Sequence, residues 1–348
     1  MNFTATHARP ASIRDVARLA GVSTQSVSRV ANGSDSVSPE MRNKVVKAMK
    51  ELGYQPNRAA RTLRLGRSRT IGLMVDYLGN SGSRLMLDSV LKAATARGYG
   101  LTLIPRDFAD HGELRRSAPF VAGLDIDGLA VNAGGELADE IRELFPSVPV
   151  VAIGTLDKLG EGWSSVDMDQ GLISRLAVDH LVALGHRHIV HVGGEDASPV
   201  ACERARGYVD AMQAHGLEAL PVEFAGWWAA DGYRVGELLL DNGTLAQATA
   251  VYAANDTLAM GVIEALHDHG WAVPQRVSVV GVDDSVGGFY AHNELTTVRQ
   301  RYDEAGDAVM RLLVEGNGDG GRTQDRRRVL IGSDIVRRSS TMAPSVMR

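Results

Sequence analysis

The sequence predicts an all-α helix-turn-helix head joined to an α/β body of two doubly wound parallel-sheet subdomains. Three observations carry this reading. Apolar residues near the N-terminus repeat with the period of short amphipathic helices. From Thr70 onward, apolar runs and helical stretches alternate in two series. Charge is also divided unequally. Through Arg69 there are 13 Lys and Arg against 4 Asp and Glu, and the remainder holds 24 against 38, so the net charge of −5 conceals a basic head on an acidic body. A basic segment of that kind points to a nucleic-acid partner.

Residues 1–11 read as a disordered leader and 12–56 as the head. Ile13, Val16, Ala17 and Ala20 fall at i, i+3, i+4 and i+7, one face of a helix. Ser12 can cap it, with Asp15 in the position of a capping-box acid, and Gly21 ends it. Ser23 can cap a second helix, Thr24 to Val30, with Val27 and Val30 inward and Thr24, Gln25, Ser28 and Arg29 outward. Two short helices about a glycine turn make a helix-turn-helix. In a major groove Gln pairs with adenine and Arg with guanine. Thr24, Gln25 and Arg29 are the candidates for base contact; Ser28, Asn32, Ser38 and Asn57 are candidates for phosphate contact or capping. Ser38, Pro39 and Glu40 open a third helix whose inner stripe is Met41, Val45, Ala48, Met49 and Leu52. Gly53 stops it, and Tyr54 packs back. Residues 57–69 read as a basic linker holding a short helix that Asn57 can cap. Ala59, Ala60 and Leu63 share a side, and Arg61 and Arg64 can reach phosphates or groove edges.

The body begins at residue 70. Its first series runs TIGLMV, a helix Ser83 to Arg97, GLTLI, a helix Glu113 to Val121, GLAV, a helix Glu136 to Leu144, and VPVVAI. The second runs from a helix Gly171 to Leu184 through HIVHV, a helix Ala201 to His215, VEFAG, a helix Gly232 to Leu240, TAVYA, a helix Asp256 to His269, and VSVVGVDD. Gly316 to Gly321 reads as a surface loop. In parallel α/β sheets ligands bind beyond the carboxyl ends of strands. Asp76, Arg204, Trp227 with Trp228, Asn255 with Asp256, and Asp283 with Asp284 all lie near such ends or the helix starts that follow. Carboxylate, amide and guanidinium groups beside an indole face suit a sugar, whose hydroxyls need paired donors and acceptors.

Each candidate also has a plainer reading. Asp256 fits an N-cap better than a ligand contact, Asp284 a cap or salt bridge, Arg204 a partner for an acid, and Trp227 core. The histidines of GHRHIVHV, His186, His188 and His191, do not share one face and read as structural rather than metal-binding. Val192-Gly193-Gly194 lacks the Lys-Ser/Thr of a phosphate loop. Asp283 and Asp284 are adjacent on one segment, unlike the flanking carboxylates of glycosidases. A single cysteine, Cys202, excludes an intrachain disulfide. The N-terminus has no apolar signal core, and no apolar run is long enough to span a membrane. No cofactor or metal is expected, and the location expected is cytoplasmic and nucleoid-associated.

DVARLAGVSTQSVSRVANG and VSPEMRNKVVKAMKELGYQPNRAARTL closely resemble the DNA-binding head of the lac repressor (LacI/GalR) family of bacterial transcription regulators. VDHLVALGHRHI, YAANDTLAMG, VSVVGVDD and LTTVRQ extend the resemblance over almost the whole chain. It implies a periplasmic-binding-protein-like body whose chain crosses three times between subdomains, near 154–166, 295–297 and 331. The N-subdomain is then about 70–158 with 296–330, and the C-subdomain about 159–295 with 331–345. It implies that 57–69 is a hinge helix and linker that pairs with its symmetry mate in the minor groove, where Leu63 wedges a central base step, and Ala60 and Arg61 are further candidates for DNA contact. It further implies that Arg204, Asn255 and Asp283 bind sugar hydroxyls, that Trp227, with Trp228 as the alternative, is the aromatic platform, and that Asp76, Met86, Gln300 and Tyr302 line the other wall or the gate. Gly154 stands where some sugar-responsive relatives carry an aspartate.

The expected function is a transcriptional regulator, a repressor, bound as a homodimer to pseudo-palindromic operator DNA and switched by a mono- or oligosaccharide. The TMAPSVMR terminus has no heptad tail, which favours dimer over tetramer. A transport solute-binding protein would share the body but not the basic head. A cleft enzyme would need an acid/base pair across the cleft, which the sequence does not present.

Overall fold

A computed structural model describes residues 11–31, 34, 36–55, 66–75, 79–105, 123–132, 138–154, 164–288, 294–315 and 327–344. The expected leader, the segment around Leu63, the helix at Glu113 to Val121 and the loop at Gly316 lie outside these residues. The chain divides into two units, 1–68 and 69–348.

In the first unit, α1 (Ile13–Ala20) opens on a capping box. The Asp15 amide donates to Ser12 Oγ at 3.4 Å and the Ser12 amide to Asp15 Oδ2 at 2.9 Å. Gly21 closes α1 at φ 63°, a left-handed value that glycine adopts without penalty. Ser23 Oγ accepts from the Ser26 amide at 3.0 Å at the start of α2 (Thr24–Ala31). Ser38 Oγ accepts from Met41 at 3.4 Å at the start of α3 (Pro39–Glu51). Helices this short are marginal alone. They are held by Val16, Ala17, Val27, Val30, Val37, Val45 and Ala48, with Ile13, Met41, Met49 and Tyr54 packed around them. Leu52, expected in the inner stripe of α3, is instead 36% exposed, because α3 has ended before it.

The second unit holds β1 (Thr70–Val75), α4 (Ser81–Ala96), β2 (Gly100–Pro105), β3 (Gly128–Asn132), α5 (Ala138–Leu144), β4 (Val150–Ile153) and β5 (Ser164–Met168). It continues with α6 (Gln170–Ala183), β6 (Ile189–Gly193), α7 (Pro199–Ala214), β7 (Glu223–Phe224), α8 (Ala229–Asp241), α9 (Thr244–Gln247) and β8 (Ala250–Ala253). α10 (Asp256–Asp268), β9 (Ser278–Val282), β10 (Thr296–Gln300), α11 (Tyr302–Met310), β11 (Arg328–Ile331) and β12 (Ser333–Val336) complete it. Two six-stranded sheets result, ordered β11-β5-β4-β3-β1-β2 and β12-β10-β9-β8-β6-β7. Their described pairings are parallel except β10 with β12. The strands are apolar runs because helices cover both faces; every residue of β6, β8 and β9 is buried.

The sheets divide the chain differently from the expected subdomain limits. β5 belongs to the first sheet, so the first crossing follows Met168 rather than lying near 154–166. β10 belongs to the second sheet, so the second crossing follows Gln300 rather than lying at 295–297. Both strands break the apolar pattern. Thr296 and Thr297 are fully buried yet satisfied: the Thr296 hydroxyl accepts from the Arg338 amide at 2.9 Å and that of Thr297 donates to Asp256 Oδ1 at 2.6 Å. The third crossing lies between Ile331 and Ser333.

Two close helix contacts place the strand-exit residues. α11 lies on α4, where a Cβ at Gly306 would come within 2.5 Å of the Ser89 backbone. α8 lies on α10, where a Cβ at Gly261 would stand 1.9 Å from the Ala229 carbonyl oxygen. Glycine is required at both points by the approach itself.

Candidate functional site

On the head, α2 leaves Thr24, Gln25 and Arg29 exposed, on the side opposite Val27 and Val30. Ser28 is half-buried, and the Ser38 hydroxyl is engaged as the α3 cap. Three neighbouring polar groups of different chemistry on one exposed helix face are what base-edge readout requires. Asn32, Asn57, Ala60, Arg61 and Leu63 lie outside the described residues.

In the body, polar side chains converge at the seam between the lobes formed by the two sheets. Asp283 follows β9 and is only 5% exposed. Its Oδ1 accepts from Gln300 Nε2 at 2.6 Å and from the Tyr302 hydroxyl at 3.1 Å, and its Oδ2 accepts from the Ser81 hydroxyl. Gln300 ends β10 in the same lobe. Ser81 and Tyr302 open α4 and α11, which pack on the first lobe. One carboxylate therefore ties both lobes, facing the N-termini of two helices whose dipoles favour negative charge. Burial, and then the Asp283 charge, push the Tyr302 phenol well above its ordinary pKa, so it stays a donor.

The backbone at Asp283 has φ 104° and at Asp284 φ 54°. Left-handed values at non-glycine residues cost of order 1–3 kcal/mol and persist where surrounding contacts impose them. Those contacts come from below. Asp256 Oδ2 accepts from the Ser285 amide at 2.6 Å, while its other oxygen takes the Thr297 hydroxyl. Burial first, and then the Asp283 charge, raise the Asp256 pKa to about 7. On the far side Asp284 accepts from Arg299 Nε at 2.8 Å and Arg338 Nη2 at 2.6 Å. Asp284 is thus a salt-bridge residue, the plainer of its readings.

Asn255, not Asp256, caps α10. Its Oδ1 accepts from the Leu258 amide at 2.7 Å, while Asp256 is the first helical residue and is turned into the core. Asn255 Nδ2 donates to the Trp227 carbonyl at 3.2 Å. The Trp227 indole lies over Gly194, where an added Cβ would meet the ring at 2.4 Å, and packs partly on the core of the second lobe. Trp228 is 46% exposed.

Arg204 is 4% exposed and meets no acid within salt-bridge distance among the described residues; its Nε donates to Gln170 Oε1 at 2.9 Å and its Nη1 to the Ala254 carbonyl at 2.5 Å. A buried guanidinium without a carboxylate partner is costly. That cost argues for a role beyond packing.

Met86 is buried in the apolar core on α4 and makes no described contact with this polar set. Asp76 lies outside the described residues. His186 and His191 are buried and structural: His186 Nδ1 faces Thr249 Oγ1 at 2.8 Å, and His191 stacks on Tyr252 at 4.3 Å. Burial lowers the His191 pKa to about 4. No group of three metal-ligating side chains occurs among the described residues. Ser81 and Gln170 are the participants that the sequence did not reveal. Ser81 pairs with a residue 202 positions away, and nothing local separates it from Ser83.

Residues 12–57 match the family model described as bacterial regulatory proteins, lacI family, and residues 178–341 match that of a periplasmic binding protein-like domain. The HTH-type transcriptional regulator CelR of Thermobifida fusca is 34% identical over 338 residues, covering 93% of this chain and 96% of CelR. The lac repressor dimer bound to operator and the anti-inducer ONPF superposes with a TM-score of 0.81 at 28% identity, over 96% of this chain and 100% of that one. A CelR–cellobiose complex superposes with a TM-score of 0.68 at 30% identity, over 95% and 99%. With both parts matched in order and a full-length relative at this identity, the chain belongs to the lacI family of bacterial regulatory proteins, which regulate transcription.

Proposed function

We propose that this regulator is a homodimeric repressor of pseudo-palindromic operator DNA, released when a neutral sugar binds between the body lobes. The observation that carries the reading is the seam itself. One lobe supplies a carboxylate (Asp283) after β9, an amide (Asn255) after β8 that holds the Trp227 carbonyl, and a buried guanidinium (Arg204) from α7 bound to the Ala254 carbonyl, with Gln300 and Tyr302 on the carboxylate. Hydroxyls donate to the carboxylate and accept from the guanidinium and amide, and the C–H face of a pyranose lies on the indole. The cellobiose complex of CelR favours the same ligand class.

Thr24, Gln25 and Arg29 read base edges. Ser28, Asn32, Ser38, Asn57 and Arg61 serve phosphates, and Leu63 with Ala60 acts in the minor groove. A symmetric dimer places two such heads on symmetric half-sites. The ligand acts by preferring one lobe arrangement over the other, and the hinge converts that preference into DNA affinity. The protein works in the cytoplasm at the nucleoid, without cofactor or catalytic chemistry; Asp284 is neutralised by Arg299 and Arg338. No helix among the described residues is long and apolar enough to cross a membrane.

The test is fluorescence anisotropy of the full chain on duplex DNA at low salt, with and without a panel of neutral sugars. Tight binding relieved by one sugar supports the reading. Absence of DNA binding at low salt overturns it.

A further inference from the structure

We propose that Ser81 is a specificity-determining residue of the ligand site. Its hydroxyl occupies the place on Asp283 that a ligand hydroxyl takes. This rests on the reading of the seam as the ligand site.

Asp283 Oδ1 is used by Gln300 and Tyr302, and Oδ2 by Ser81. Of the three donors, Gln300 sits on the same sheet as Asp283, and Tyr302 is fixed by two bonds, one to Asp283 and one from Gln300 Nε2 at 2.8 Å. Ser81 is the donor a ligand can replace. It is the first residue of α4, its hydroxyl has no other described partner, and Asn80, not Ser81, caps the helix by accepting from the Ser83 amide at 2.8 Å. Withdrawal of Ser81 therefore leaves α4 intact. With Ser81 2% and Asp283 5% exposed, the packing closes Oδ2 off except at Ser81, so a ligand hydroxyl reaches it by taking the place of Ser81. The left-handed backbone at Asp283, braced through Ser285 and Thr297 by Asp256, keeps the carboxylate aimed at this spot whichever donor is present.

Two consequences follow for the ligand. The group that lands on Asp283 is a donor, so a hydroxyl is accepted and a carboxylate or phosphate at that end is refused. Binding also replaces one charge-assisted hydrogen bond by another, so Ser81 sets an energy that every ligand must overcome. A hydrogen bond to a charged group is strong enough that its removal from the free state tightens binding by about tenfold or more.

The experiment uses the full chain, wild type against Ser81→Ala, with Ser83→Ala as a control on the same turn. Calorimetry with cellobiose and with ribose reads affinity, and hydrogen–deuterium exchange of the ligand-free protein reads the lobe contact. Ser81→Ala is expected to bind whichever sugar binds the wild type about tenfold more tightly. It is also expected to exchange faster at residues 283–285 in the opposite lobe, while Ser83→Ala does neither. Unchanged or weaker affinity, or faster exchange confined to the first turn of α4, overturns the proposal. If neither sugar binds any of the proteins, the sugar reading fails for those two. Exchange at 283–285 still decides the role of Ser81.

Discussion

Gly261→Ala is the sharpest stability test of how the aromatic wall is held. A Cβ there stands 1.9 Å from the Ala229 carbonyl oxygen and 2.7 Å from the Tyr233 amide nitrogen, both backbone atoms of α8. Ordinary contact begins at 3.4 Å, so α8 and α10 must separate locally by about 1.5 Å. Overpacking of this kind costs about 1–3 kcal/mol. The helix gains about 1 kcal/mol when alanine replaces glycine. The clash is with backbone atoms, which puts the cost in the upper part of that range, about 2–3 kcal/mol, and the net loss at about 1–2 kcal/mol. At about 2–4 °C per kcal/mol for a domain approaching this size, the melting temperature is expected to fall by about 2–8 °C. Ala229 is the first residue of α8, directly after Trp227 and Trp228, and the Asn255 amide holds the Trp227 carbonyl. The same displacement therefore pulls the indole from Gly194 and shifts tryptophan emission. Gly332→Ala, where the added Cβ meets nothing within 4 Å, is the control and is expected to leave both unchanged. Thermal unfolding and emission spectra of the three proteins decide it. A wild-type midpoint in Gly261→Ala refutes the close-approach argument. A lowered midpoint with unaltered emission refutes the claim that this contact positions the tryptophan.

Three further outcomes are expected. Asp283→Ala abolishes the ligand response and leaves DNA affinity in the absence of ligand near wild type; a normal dose–response in anisotropy removes Asp283 from the site. Asp256→Asn changes the pH dependence of stability. The raised pKa of Asp256 means that its favourable contribution is complete below about 3.8 and is lost as pH rises through about 7, so the variant flattens that part of the profile in denaturant titrations. An identical profile in the variant contradicts the assignment. Leu63→Ala weakens binding to operator more than to random duplex, because a wedge acts only at a kinkable step; equal losses on the two duplexes refute the wedge.

The head was readable because each of its devices is local. Ser12 with Asp15, Gly21, Ser38 with Pro39, and Gly53 act within four residues of the helix ends they define. Leu52 alone misled, since periodicity continues past the point where the helix stops. The apolar strands β1, β3, β6, β8 and β9 were equally plain. β5, β10 and β12 were not, because SSVDM, TTVRQ and SDIV bury polar side chains whose partners come from remote segments. Ser340 illustrates this: its hydroxyl donates to the Val279 carbonyl at 2.6 Å and accepts from the Thr296 amide at 2.8 Å, so the end of the chain satisfies β9 and β10. The exchange of roles between Asn255 and Asp256 has the same origin. Either residue can cap a helix by chemistry, and only the distant Thr297 and Ser285 settle which one turns inward. The ligand-site candidates were legible as types at strand exits. The pairing of Asp283 with Ser81 was not, because it joins two lobes through residues with no shared local pattern.

The most direct test of the account is selection of duplexes from a randomised pool by the full-length chain at moderate salt. The account expects enrichment of a two-fold symmetric sequence, with enrichment at one half-site position relaxed when Arg29 is replaced by alanine. A pool that stays random, or an enriched sequence without symmetry, contradicts it.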